Sequence, residues 1–146
     1  MRIAIVASNF NEEITSSLIS GALRCYKDVY NNELNSDYIY KVPGAFEIPS
    51  FINRLLDNIK VDAVVTLGCV IKGETAHFEY ISKTVTDEIM NLSVHNNQNI
   101  PVIYGVLTTL DYQQALARTK QDKSNKGYEV MDSAIYMINQ FSSLNK

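Results

Sequence analysis

The run Val61-Asp62-Ala63-Val64-Val65-Thr66-Leu67 is apolar and β-branched at neighbouring positions, not only at alternate ones. A dense β-branched run of this kind reads as a strand. Ile3–Ala7 has the same character near the start of the chain. Between these runs, Ile14, Leu18, Ala22, Tyr26 and Tyr30 recur every four residues, the spacing of one helical face. Asn11 stands where that helix would be capped. Tyr38, Tyr40 and Val42 alternate with Ile39 and Lys41 in a second strand that stops at Pro43-Gly44. Ile48, Phe51, Ile52, Leu55, Leu56 and Ile59 follow at helical spacing.

The same rhythm continues after Leu67. A helix carrying Phe78, Ile81, Val85, Ile89 and Leu92 gives way to the polar loop His95-Asn96-Asn97-Gln98-Asn99. Pro101–Leu107 supplies a fourth strand, and residues 111–120 a shorter helix. A last helix starts near Asn125-Lys126-Gly127 and buries Val130, Ala134, Met137, Ile138 and Phe141. Alternation of this kind predicts an α/β domain of right-handed βαβ units, with helices on both faces of a parallel sheet.

A doubly wound sheet carries its ligand loops beyond the carboxyl ends of its strands. Four polar segments fall there: Ser8–Asn11, Pro43–Glu47, Cys69–His77 and Thr108–Asp111. Richest in chemistry is Gly68–His77, where a glycine turn, Lys72 and Thr75 precede a helix. Backbone N–H groups at such a junction can hold an anion. His77 adds a side chain suited to proton transfer near neutral pH.

Composition narrows the classes of partner. The chain has 146 residues, enough for one domain with a sizeable core, and we expect a single domain over 1–146. A net charge of -3 and a pI near 5.3 argue against a broad nucleic-acid or acidic-membrane surface. No run approaches the length of a membrane span or of a signal-peptide core. Cys25 and Cys69 form neither a disulfide framework nor a four-ligand zinc spacing. A soluble cytoplasmic protein is expected.

Several segments together resemble the lumazine synthase family. They are Ser8-Asn9-Phe10-Asn11-Glu12, Val42-Pro43-Gly44-Ala45-Phe46-Glu47-Ile48-Pro49, the whole of Gly68–His77, Pro101–Thr109, and Asn125-Lys126-Gly127. The likeness spans nearly the full chain, in the family's order and spacing. It implies a flavodoxin-like three-layer αβα domain with a four-stranded parallel sheet. It also implies condensation of 5-amino-6-(D-ribitylamino)uracil with 3,4-dihydroxy-2-butanone 4-phosphate, giving 6,7-dimethyl-8-ribityllumazine, phosphate and water. That route passes through a Schiff base, phosphate elimination and ring closure, and needs neither a redox cofactor nor a metal. Members assemble as homo-oligomers, typically pentamers and sometimes larger shells, with active sites between neighbouring subunits. Riboflavin synthase is a candidate partner.

Carried over residue by residue, the resemblance gives Phe10 the stacking place on the pyrimidine, with a lesser contact from Asn11. Ala45, Phe46 and Glu47 become pyrimidine and ribityl contacts, and Cys69, Val70 and Ile71 line the pyrimidine through backbone groups. Gly73, Glu74 and Thr75 match the phosphate turn, where backbone N–H groups and the Thr75 hydroxyl are the useful donors. The Glu74 carboxylate has the wrong sign and should point away. Arg118 matches the phosphate arginine from the adjacent subunit, and Lys126 lies near the phosphate. Tyr104 matches a neighbour's pocket-lining position, and His77 is the proton-transfer residue.

Each residue also has a plainer reading from its chemistry alone. Phe10, Phe46, Cys69 and Tyr104 could be packing residues, Asn11 a helix cap, and Glu47, His77 and Arg118 solvated surface groups. Two departures stand out. The first family strand lies almost at the start of the chain, which counts against shell formation. The loop Thr119-Lys120-Gln121-Asp122-Lys123-Ser124 lacks glycines common in relatives, so its phosphate-side geometry is expected to differ.

Overall fold

Burial of all six residues of β1 (Ile3–Ser8) makes it a central strand. A computed structural model of the protein describes residues 1–144. β1 pairs in parallel with β2 (Ile39–Val42) on one side and β3 (Ala63–Ile71) on the other. β3 in turn pairs with two short segments, β4 (Val102–Ile103) and β5 (Val106–Thr109). The sheet order is therefore β2-β1-β3 followed by the β4/β5 position, entirely parallel, as the strand-helix alternation predicted.

The expected fourth strand is thus two short segments, which makes the sheet five-stranded, because Pro101–Leu107 is not one continuous ladder. Val64 sits against Val102 and Gly68 against Val106, so no residue is gained or lost across the break. At the break, the fully buried Thr66 side chain takes over the backbone's role. Its Oγ1 donates to the Ile103 carbonyl at 2.9 Å and accepts the Gly105 N–H at 3.0 Å. Thr66→Val keeps the volume and removes both bonds, leaving a buried donor and acceptor unpaired. We expect it to lower unfolding free energy by about 1–3 kcal/mol. Urea titration with an unchanged slope would register this as a lower midpoint, and a midpoint equal to wild type would show that Thr66 is not the bridge.

Helices cover both faces. α1 (Glu12–Tyr30), α4 (Tyr112–Leu116) and α5 (Lys126–Leu144) lie on one side. There Ile14, Leu18, Ala22 and Cys25 of α1 meet Val130, Met131, Ala134 and Ile138 of α5 over Ile3, Ile5 and Val65. On the other side, α2 (Ile48–Asn58) and α3 (His77–His95) pack Ile48, Ile52, Val85 and Ile89 over Ala4, Val6 and Val64. Met137 and Phe141, expected inside, are only half-buried, while Met131 and Ile135 are buried. α5 packs against α1 as well as the sheet, which widens its buried arc beyond a single stripe.

α3 is the exception to good coverage. Of its 19 residues only Val85 and Ile89 are fully buried, while Tyr80, Met90 and Val94 are each more than 60% exposed. No helix among the described residues is long and apolar enough to cross a membrane.

Candidate active site

In a sheet of order 2-1-3-4 the chain winds in opposite directions from β1 and β3, which opens a crevice between their carboxyl ends. β1 ends first. Its ladder with β2 continues into the loops, as the Asn9 N–H donates to Val42 O at 2.8 Å and the Phe10 N–H to Pro43 O at 3.1 Å. This fastens the Phe10 loop to the Pro43–Glu47 turn. The backbone then bends sharply at Asn11, with φ 58° and ψ 51°, a left-handed conformation that asparagine tolerates.

Asn11 occupies the cap position of α1 but makes no side-chain capping bond. Its Nδ2 instead crosses the crevice floor and donates to Cys69 O at 2.9 Å. The residue expected to cap a helix is therefore a tie between two strand ends.

β3 runs four residues beyond the expected Leu67. Gly68 belongs to the strand and not to a turn. A Cβ there would stand 3.2 Å from Ser8 Oγ and 3.3 Å from Val106 Cγ1, so a larger residue would need those side chains to give by a few tenths of an ångström. The Gly68 and Lys72 N–H groups donate toward the β5 side, to Gly105 O and Thr109 O. Strand periodicity of two then directs the backbone of Cys69 and Ile71 toward the β1 side. Pairing with β1 stops at Ala7–Leu67, so this edge of β3 has no strand neighbour. Asn11 occupies the Cys69 carbonyl, and the Ile71 groups address the crevice.

The resulting cavity measures about 670 Å³, within the range of small-molecule sites. Phe10, Ala45, Phe46 and Glu47 line one wall, and Cys69, Val70, Ile71, Gly73, Thr75 and His77 line the other. Packing does not account for the aromatics, since Phe10 is 71% and Phe46 55% exposed. Ala45 is buried where the turn meets the sheet. The Glu47 carboxylate has no hydrogen-bond or ion-pair partner among the described residues. Burial pushes the Cys69 thiol up to about 11, so it is protonated and a poor nucleophile near neutral pH.

The turn from Lys72 to Ala76 delivers the chain to α3, whose first residue is His77. Ala76 supplies no side-chain cap, and the only side-chain acceptor nearby is Thr75 Oγ1, 3.4 Å from the His77 N–H. The N–H groups of Gly73, Glu74 and Thr75 have no acceptor among the described residues. Open donors at the positive end of a 19-residue helix form an anion-attracting cradle. Lys72 contributes less than its charge suggests, because its Nζ is 2.8 Å from Glu79. That pairing holds the Glu79 carboxyl below its usual range. Glu74 is exposed and does not line the cavity.

Three expected site residues lie outside the crevice of their own chain. Tyr104 packs against the α2/α3 side, where its hydroxyl accepts from Thr86 Oγ1 at 2.9 Å and burial raises its phenol pKa. Arg118 sits just beyond α4, with its guanidinium exposed and unpaired among the described residues. Lys126 opens α5 and pairs with Glu129 at 3.1 Å. Arg118 and Lys126 do meet through the backbone, since the Lys126 N–H donates to Arg118 O at 2.8 Å. The fourth polar segment, Thr108–Asp111, also misses the crevice. Asp111 caps α4 by accepting from the Gln114 N–H at 2.8 Å.

Phe78 and Ile81 line the cavity although the sequence pattern gave them only to the helix core. Their place in the first turns after the anion cradle is the signal that could have marked them. A family model described as 6,7-dimethyl-8-ribityllumazine synthase matches residues 1–142 of the chain.

Proposed function

Because the chain belongs to the 6,7-dimethyl-8-ribityllumazine synthase family, we propose that it condenses 5-amino-6-(D-ribitylamino)uracil with 3,4-dihydroxy-2-butanone 4-phosphate. The observation that carries this reading is one crevice joining exposed aromatic walls, an open strand edge and an uncapped helix start. A pyrimidine is flat and hydrogen-bonds along its edge. Phe10 and Phe46 suit its faces, and the Ile71 backbone suits its edge. Glu47 is free to accept from ribityl hydroxyls. The turn at Gly73–Thr75 suits a phosphate. At position 73 neither a positive φ nor any neighbour within 4 Å demands glycine, and a bare backbone there suits close approach of a phosphate.

In this scheme the 5-amino group attacks the ketone and loses water to form a Schiff base. Phosphate leaves by elimination, and the ribitylamino nitrogen closes the second ring with loss of another water. His77 lines the same crevice and follows directly on the cradle as the first residue of α3, so it is the side chain suited to accept the proton removed in elimination and return one to a departing oxygen. Mixing the protein with both compounds should form the lumazine well above a protein-free control. Ligand binding with background product alone would favour a noncatalytic binding protein.

We further propose a homo-oligomer, pentameric as in relatives, whose neighbours complete each site. Two observations support it: the poorly covered α3, and an Arg118 guanidinium that is unpaired among the described residues and away from its own crevice. Arginine's planar fork suits phosphate oxygens. For Arg118→Ala we expect the apparent KM for the phosphorylated substrate to rise about 10-fold or more, the scale of a lost charge-assisted bond. Steady-state titration of each substrate checks this, and an unchanged KM returns Arg118 to a solvated surface charge. Co-assembly of Arg118→Ala with His77→Ala chains should recover activity, since some interfaces then hold both native residues.

A further inference from the structure

We propose that Arg24, on α1, is a positioning residue that sets the geometry of the phosphate-side segment carrying Arg118; this rests on the functional reading above. The segment between α4 and α5 is braced mostly within itself. The Arg118 N–H donates to Ala115 O, the Lys126 N–H to Arg118 O, and the Ser124 N–H to Asp122 Oδ1. Such bonds give the segment a shape but do not fix where it sits on the protein.

Two side chains tie it to α1. Asn125 Nδ2 donates to Ser17 O at 3.2 Å and to Lys120 O at 3.1 Å, anchoring the base of the segment. Arg24 holds the tip. Its Nη1 donates to Gln121 Oε1 at 2.6 Å and its Nη2 to Asp122 O at 3.2 Å, so one guanidinium grips two successive residues. The Arg24 stem lies along an α1 groove with Ile19 and Leu23, which limits the freedom of the fork. Without glycines in 119–124, one held tip restricts the whole segment. Arg118 leaves that segment two residues before Lys120, the residue whose carbonyl Asn125 holds.

Arg24 touches no residue of its own crevice. Its effect should therefore reach turnover only through Arg118. Lysine keeps the charge but lacks the planar fork that spans the two acceptors, so it should replace Arg24 only in part.

The test compares wild type, Arg24→Met, Arg24→Lys, Arg118→Ala and the double variant Arg24→Met/Arg118→Ala as assembled protein, with each substrate varied in turn. Arg24→Met should raise the apparent KM for the phosphorylated substrate about five- to tenfold, the scale of coupling between contacting residues. It should leave kcat and the pyrimidine KM within twofold, and Arg24→Lys should recover part of the loss. Added to Arg118→Ala, Arg24→Met should cost nothing further. An unchanged phosphorylated-substrate KM in Arg24→Met, or full additivity with Arg118→Ala, overturns the positioning role while leaving the functional reading intact. Equal losses for both substrates would mark general loosening and overturn it as well. If Arg118→Ala itself has no effect on that KM, the underlying reading fails and the positioning role fails with it.

Discussion

Gly127→Ala is expected to cost about 4 kcal/mol or more of stability, at the exceptional end for a single methyl group. The reason is where the methyl would go. A Cβ at position 127 would stand 1.8 Å from Leu18 O, 2.6 Å from Leu18 C and 2.9 Å from its Cα. These are backbone atoms, so no rotamer change can clear the space. α1 and α5 would have to move apart by more than an ångström, opening the core between Leu18, Ala22, Val130 and Ala134. The same junction holds the buried Asn125 side chain, which accepts from the Gly127 N–H at 2.8 Å and donates to Ser17 O. Separation therefore breaks polar bonds as well as packing, and the unpaired groups stay buried. Against a typical total of about 5–15 kcal/mol, such a loss leaves the protein near its unfolding threshold. Gly73→Ala is the control, because nothing lies within 4 Å of its Cβ and its φ is not positive. Its stability should match wild type or rise slightly through the lower entropy of the unfolded chain. Urea unfolding of the pair decides the matter. A Gly127→Ala unfolding free energy within about 1 kcal/mol of wild type would mean the helices tolerate the added methyl.

This junction shows which parts of the molecule could be read from the sequence. Strand-helix alternation predicted the parallel sheet, and the apolar runs located β1 and β3, which are buried along most of their length. Helical spacing likewise located α1, α2, α3 and α5. What spacing could not supply was the distance between elements. Asn125-Lys126-Gly127 was legible as a matching motif, yet its physical role is the close approach of two helices, a long-range fact. Gly68 misled in the same way. A glycine after a β-branched run reads as a turn, but here it serves the contact of Ser8 with the sheet, and β3 continues to Ile71.

The candidate site divides along similar lines. Loops that follow β1, β2 and β3 meet at the crevice because strand order alone brings them together. Phe10 and Phe46 could not be separated from core residues by type, and only their exposure distinguishes them. Asn11 was legible as a terminus residue, but its bond to Cys69 O spans 58 positions of sequence. Arg24 gave no signal, since a cation on an amphipathic helix is ordinarily a solvated charge. Its importance comes from two acceptors nearly a hundred residues away.

His77→Ala should reduce kcat by about 10²-fold or more while leaving pyrimidine binding largely intact. His77 has no side-chain hydrogen bond or ion pair among the described residues, and it is exposed, so its removal should not disturb folding. The loss should be incomplete. On the proposed reading, Phe10, Phe46 and the strand edge would still hold one reactant, and the Gly73–Thr75 turn the other, so the benefit of bringing them together remains. What disappears is a positioned proton acceptor for the elimination step and a donor to the departing oxygen. The defect should therefore appear in single-turnover rates at saturating substrate and not in the affinity for the pyrimidine. Exogenous imidazole should restore part of the rate, because the vacated space opens directly to solvent at the start of α3. Single-turnover rates equal to wild type would remove His77 from the chemistry. The rate enhancement would then rest on proximity and on the helix-end cradle, with solvent carrying the protons.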